Sequence, residues 1–177
     1  MTALVLGGSA SGKSGWAEDL ICALPRTGPM IYLATMEPWG GEAAARIGRH
    51  QILRSGKGFS YTVERPRDLA GWDPPAGSAV LLEDLGNLVA NELFSGESPD
   101  PEGAYRRIRQ GLDVLMASVQ HLVVVSGDLF RDGVDYPTET GVYLDLMARL
   151  HQDLAAQANQ VIELVCGLPV RWKGGEV

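Results

Sequence analysis

TALVLGGSASGKSGWAEDLICAL, residues 2–24, decides how the rest of the chain is read. A short apolar run ends on two glycines, and a segment of helical composition opens at Lys13. Between them Gly7, Gly12, Lys13 and Ser14 stand at the spacing G-x-x-x-x-G-K-[ST]. The glycines let the backbone bend so that successive N–H groups face an anion, and the following helix adds its positive N-terminal end. Gly7, Gly8, Ser9, Ala10, Ser11 and Gly12 are therefore expected to wrap the phosphates of a nucleotide. Lys13 is expected to reach the β- and γ-phosphates, and the Ser14 hydroxyl to hold Mg²⁺. Contacts from backbone to phosphate ignore the base, so GTP and ATP are equally compatible with this stretch.

Outward from that turn, apolar runs rich in β-branched residues alternate with helical patterns. MIYLAT (30–35), FSYTVE (59–64), AVLLE (79–83), HLVVVS (121–126) and VIELVC (161–166) read as strands, with PVRWK (169–173) as an edge strand. Residues 13–24, 42–53 and 84–94 read as helices. Tyr105, Ile108, Leu112, Leu115 and Val119 form one helical stripe, which Asp100 and Pro101 open as cap and first-turn proline. A last helix is expected from Thr138 to about Asn159. Strands that are apolar throughout and separated by helices imply a parallel sheet covered on both faces. The fold expected is a three-layer α/β P-loop NTPase-like domain with a mostly parallel sheet, one domain over residues 1–177. The loops 95–101 and 127–137 fall where such sheets meet their ligands, beyond the strands' carboxyl ends.

The 177 residues carry a net charge of −7, which argues against a nucleic-acid partner. Cys22 and Cys166 are far apart and lack metal-ligand spacing, which points to a reducing compartment. MTALVLGG has no basic leader character, and no stretch reaches the length of a membrane span. A cytoplasmic protein is expected.

A phosphate cradle of this kind needs a carboxylate for Mg²⁺ at the end of a neighbouring apolar strand. AVLLED supplies two, Glu83 and Asp84, and Asp84 is equally placed to cap the next helix. Further on, AARIGRH sets Arg46 and His50 four residues apart on one helical face, with Arg54 a turn later. A histidine among arginines is suited to meet a phosphate, and a neutral imidazole can attack phosphorus. A solvated helix histidine has the same pattern, and a P-loop kinase of another small alcohol or a non-catalytic nucleotide binder would retain the cradle. His121, entering a strand, and His151, on a helix, read as structural.

GGSASGKS, IYLAT, AARIGRH, TVERPRDL and LLEDLGNLVANELF, in this order, resemble the bifunctional adenosylcobinamide kinase/adenosylcobinamide-phosphate guanylyltransferase family. The resemblance implies phosphorylation of adenosylcobinamide by a nucleoside triphosphate. Transfer of GMP from GTP to that phosphate follows, through a guanylylated histidine. By position that histidine is His50, and the nucleotide contacts are residues 7–14, Thr35, Met36, Glu37, Gln51, Ile52, Leu53, Arg54, Glu64 and Glu83. It also implies a homo-oligomer, commonly a trimer. Ala10 stands where that family usually has arginine, and Gly127-Asp128 where it has an Asn-Glu pair. TETGVYLDLMARL (138–150) replaces its arginine-bearing segment.

Overall fold

The computed structural model describes residues 1–37, 56–128 and 137–175. The predicted helix at 42–53, His50 and Gln51 to Arg54 lie outside the described residues. Strands β1 (Thr2–Gly7), β2 (Met30–Ala34), β3 (Tyr61–Glu64), β4 (Ala79–Glu83), β5 (His121–Gly127), β6 (Gln160–Val165) and β7 (Leu168–Lys173) form one sheet in the order β3-β2-β4-β5-β1-β6-β7. All neighbours run parallel except β6 and β7, which form an antiparallel hairpin. Helix α1 (Lys13–Ala23) packs on one face. Helices α2 (Leu85–Leu93), α3 (Pro101–Ser118) and α4 (Thr138–Gln157) pack on the other.

The apolar runs make sense as strands buried on both sides. Ala3 and Val5 of β1, Ala79 and Leu81 of β4, and Val123 and Val125 of β5 point to the α1 side. Leu4, Val80, Leu82, Leu122 and Val124 point the other way, to the three-helix layer. Both faces are predominantly apolar, so the two-residue alternation of a half-buried strand is absent. The helices follow from their caps and stripes. Asp100 accepts a hydrogen bond from Gly103 N at 2.9 Å and Pro101 opens α3, whose Ile108, Leu112 and Leu115 are buried.

Most boundaries shift by a residue or two from the sequence reading, and three of these shifts have a visible cause or consequence. Phe59 and Ser60 precede β3 rather than belonging to it, though Ser60 N still donates to Met30 O at 2.7 Å. Asp84 is the N-cap of α2, not its first helical residue. Cys166 leaves β6 and takes a left-handed conformation, φ 51°, in the tight turn to β7. The expected edge strand exists, but its whole length is exposed, with Leu168 70% and Trp172 66% accessible.

Candidate active site

The sheet topology gathers the predicted residues at the carboxyl ends of three neighbouring strands. Strand β1 delivers Gly7 and the cradle, β4 delivers Glu83, and β5 lies between them. Gly7 is confined: a Cβ there would run into the Ser11 hydroxyl and lie 2.9 Å from the Leu164 carbonyl oxygen. Gly12 caps α1 in the left-handed region, φ 89°, where a side chain is strained. No side chain caps α1, and its first turn contains no acidic residue, which leaves the helix N-terminus to an anion. Lys13 Nζ donates to Gly8 O at 3.2 Å, so its ammonium folds over the loop it is expected to serve.

Ser14 and Glu83, distant in sequence, meet here: the serine hydroxyl donates to Glu83 Oε1 at 2.6 Å. The other carboxylate oxygen of Glu83 is buried with no hydrogen-bond partner. Burial pushes the Glu83 carboxyl up to about 7, against the Ser14 hydrogen bond and the Lys13 charge, which hold it down. A carboxylate oxygen left without a partner beside a hydroxyl is a hard-oxygen donor set that suits Mg²⁺. Among the described residues no three His, Cys, Asp or Glu side chains cluster as a metal cage. Mg²⁺ in a nucleotide site needs no such cage, since phosphates and waters supply most of its ligands.

Asp84 is used differently. Its Oδ1 accepts from Asn87 N at 2.7 Å and caps α2, and its carbonyl accepts from the Thr35 hydroxyl at 2.7 Å. Thr35 is buried and ties β2 to β4 again through its own N–H, which donates to Glu83 O. Met36 follows half-buried, and Glu37 is held by the Arg67 guanidinium, whose Nε donates to it at 3.0 Å. Glu64, at the end of the edge strand β3, is exposed. Asn91 reaches from α2 to donate to Thr35 O at 2.8 Å and Pro66 O at 3.1 Å. It thereby fixes the strand end that carries Thr35 to Glu37.

Two features escaped sequence reasoning. The β6–β7 turn rests on the cradle, with Gly167 N donating to Ser11 O at 3.1 Å. The strands read at 161–166 and 169–173 implied a reversal between them but not what it would touch. The second feature is the contact of buried Ser126 Oγ with Nε2 of half-buried His151, 2.7 Å apart, at the end of β5. Desolvation pushes the His151 imidazole down to about 4, with nearby Asp128 opposing that shift.

Residues 3–172 match the family described as cobinamide kinase / cobinamide phosphate guanyltransferase. The chain belongs to that family. It is 33% identical to the bifunctional adenosylcobalamin biosynthesis protein CobU of Salmonella typhimurium, a match over 98% of this chain and 100% of that protein. The protein of the same name from Escherichia coli is 34% identical with the same two coverages. Bifunctional adenosylcobalamin biosynthesis protein CobP of Pseudomonas aeruginosa is 29% identical and covered over 98% of its length. Among solved structures, the flagellar accessory protein FlaH of Methanocaldococcus jannaschii is similar with a TM-score of 0.47 at 10% identity, over 98% of this chain and 78% of that one. The cobinamide kinase / cobinamide phosphate guanyltransferase family is one of bifunctional enzymes, and a nucleotide-binding P-loop is what the cradle of this member supplies. Among the described residues no helix is long and apolar enough to cross a membrane.

Proposed function

We propose that the protein phosphorylates adenosylcobinamide with ATP or GTP and then transfers GMP from GTP to adenosylcobinamide phosphate through a guanylylated His50. The observation that carries the nucleotide chemistry is the meeting of Ser14 and Glu83 at 2.6 Å beside an uncapped helix N-terminus, within a chain of this family. In the phosphoryl step the N–H groups of residues 8–14 and the Lys13 ammonium hold the triphosphate and offset charge building on its oxygens. Ser14 and Glu83 would hold Mg²⁺, which supplies further positive charge to the phosphates when bound. Asp84 caps α2 and so holds in place the strand end from which Glu83 would reach Mg²⁺.

In the guanylyl step a neutral His50 nitrogen bonds to the α-phosphorus of GTP, and the bond to the β-phosphate side breaks, releasing pyrophosphate. An oxygen of adenosylcobinamide phosphate then displaces the imidazole. Thr35, Met36, Glu37, Gln51, Ile52, Leu53, Arg54, Glu64 and Glu83 are the proposed nucleotide contacts of this cycle. A homo-oligomer, a trimer by family likeness, working in the cytoplasm completes the reading.

The test is to incubate the protein with GTP labelled at the α-phosphate, denature it, and count label on the chain. Acid-labile, base-stable label that leaves on addition of adenosylcobinamide phosphate is the expected result. Protein that phosphorylates adenosylcobinamide yet never takes up label is a kinase without the second activity.

A further inference from the structure

The peptide unit that joins Ser11 to Gly12, the cap of α1, is trans, and one side of it is held from outside the loop. Gly167 N, in the β6–β7 turn, donates to Ser11 O at 3.1 Å. A trans peptide is planar, with its C=O and N–H pointing in opposite directions. The Gly12 N–H therefore points away from the turn. Among the described residues it has no hydrogen-bond partner.

Strand β6 and its turn line this side of the loop from its first glycine to its last. Gly7 pairs with Leu164, and a Cβ at Gly7 would lie 2.9 Å from the Leu164 carbonyl oxygen. A Cβ at Gly12 would come within 3.8 Å of Gly167 Cα. Cys166 and Gly167 take positive φ in succession, 51° and 82°, between the paired residues Val165 and Leu168. Consecutive positive φ angles make a two-residue hairpin turn. The hydrogen bond of such a turn joins its first and fourth residues, which leaves the N–H of the third, here Gly167, for an outside acceptor. Ser11 O is that acceptor.

We propose that Gly167 is a positioning residue for the nucleotide: its N–H holds the Ser11 carbonyl and so aims the Gly12 N–H at a phosphate oxygen. The proposal rests on the nucleotide reading above and adds how one donor of the cradle is fixed before the nucleotide arrives. Were the same peptide turned over, the Ser11 carbonyl would set its partial negative charge against the phosphates. One contact from the turn thus supplies a donor and removes a repulsion. The C-terminal hairpin, exposed along the whole of β7, is on this account part of the cradle.

The experiment removes that one N–H. Cys166 is an exposed free thiol directly before Gly167, so the full chain can be assembled there by ligating a synthetic segment of residues 166–177. Glycolate in place of Gly167 puts an ester oxygen where the N–H stood and alters no side chain. The reference is the chain ligated from the native segment. Calorimetry with inorganic triphosphate and with ATP is read beside a melting curve taken without ligand. The ester chain is expected to bind both about tenfold more weakly, the scale of one hydrogen bond to a charged group. The factor should be the same for the two, because the Gly12 N–H meets phosphate and not the base. Melting without ligand should stay near the reference, which a merely structural bond would not allow. Unchanged affinity overturns the proposal, whether or not the melting temperature falls. Should the ester chain fail to refold, Gly167→Asn and Gly167→Val decide. A Cβ at Gly167 would meet nothing within 4 Å, so the pair tests the backbone angle alone. Asparagine visits the left-handed region and a β-branched residue does not, so Asn should keep most of the triphosphate affinity that Val loses. Equal affinities of the two overturn the proposal. A wild-type protein that binds neither inorganic triphosphate nor ATP overturns the nucleotide reading itself, and this proposal with it.

Discussion

At Lys13 a single charge separates holding a nucleotide from acting on it. Its ammonium lies over the loop and donates to Gly8 O, a part-buried contact outside the hydrophobic core. Lys13→Ala should therefore leave thermal stability near wild type. Losing a charge-assisted contact to the reacting phosphates should cost about 2–4 kcal/mol of transition-state stabilisation. Turnover assays and a melting curve on the same preparation check both halves. His151 gives a pH signature of a different kind. Its folded-state value of about 4 lies below the 6.5 of a free imidazole. Between those values the unfolded chain binds a proton that the folded chain refuses, so this group's contribution to stability is complete above pH 6.5 and is lost as pH falls through 4. The slope it adds is at most about 1.4 kcal/mol per pH unit across that window. Denaturant titrations of wild type and His151→Phe at pH 7 and 4.5 should show the variant losing less over the interval. Equal losses would mean that the imidazole is protonated in the folded protein.

At the scale of elements, helix α2 acts as a clamp on the site. Asp84 caps it, and one turn from its end Asn91 donates both amide hydrogens, to Thr35 O and Pro66 O. Asn91→Ala leaves two carbonyls short of a donor, at about 1–3 kcal/mol for each buried group left unsatisfied. Asn91→Asp is expected to be worse, because a carboxylate would face two carbonyl oxygens. Both variants should weaken nucleotide binding as well as lowering the melting temperature, since the freed segment carries Thr35 to Glu37; unchanged affinity in a destabilised Asn91→Ala protein would detach α2 from the site. The elements were legible because their signals are local. The two-sided apolar runs 2–6, 79–83 and 121–126 gave strands, and Asp100-Pro101 gave a helix start. The Asp84 cap was readable as one of two roles, whereas the Ser14–Glu83 contact, 69 residues apart in sequence, had no local signal. The seating of the Val165–Leu168 turn on Ser11 had no local signal at all, because it depends on β6 being the neighbour of β1.

At the scale of the whole molecule, strand order organises the chemistry. Placing β5 between β1 and β4 spaces the cradle from the Glu83 strand and puts Asp128 between them, an arrangement no periodicity encodes. The cradle, the family likeness and His50 were all carried by short stretches of sequence, and His50 bears the second half of the proposed cycle. That division predicts separable defects. His50→Ala should abolish covalent GMP and guanylyl transfer, while phosphorylation of adenosylcobinamide continues at the cradle, because direct transfer needs no protein nucleophile. His50→Asn should fail in the same way, since an amide nitrogen hydrogen-bonds but does not attack phosphorus. Lys13→Ala, by contrast, should impair phosphorylation whatever stands at position 50. Parallel assays with γ-labelled ATP and α-labelled GTP on the three variants read the two activities independently. Label retained on His50→Ala would move the nucleophile elsewhere in the chain. Loss of both activities in His50→Ala, with ATP affinity intact, would instead mean that the two half-reactions share a residue and that the protein does not divide its chemistry between cradle and histidine.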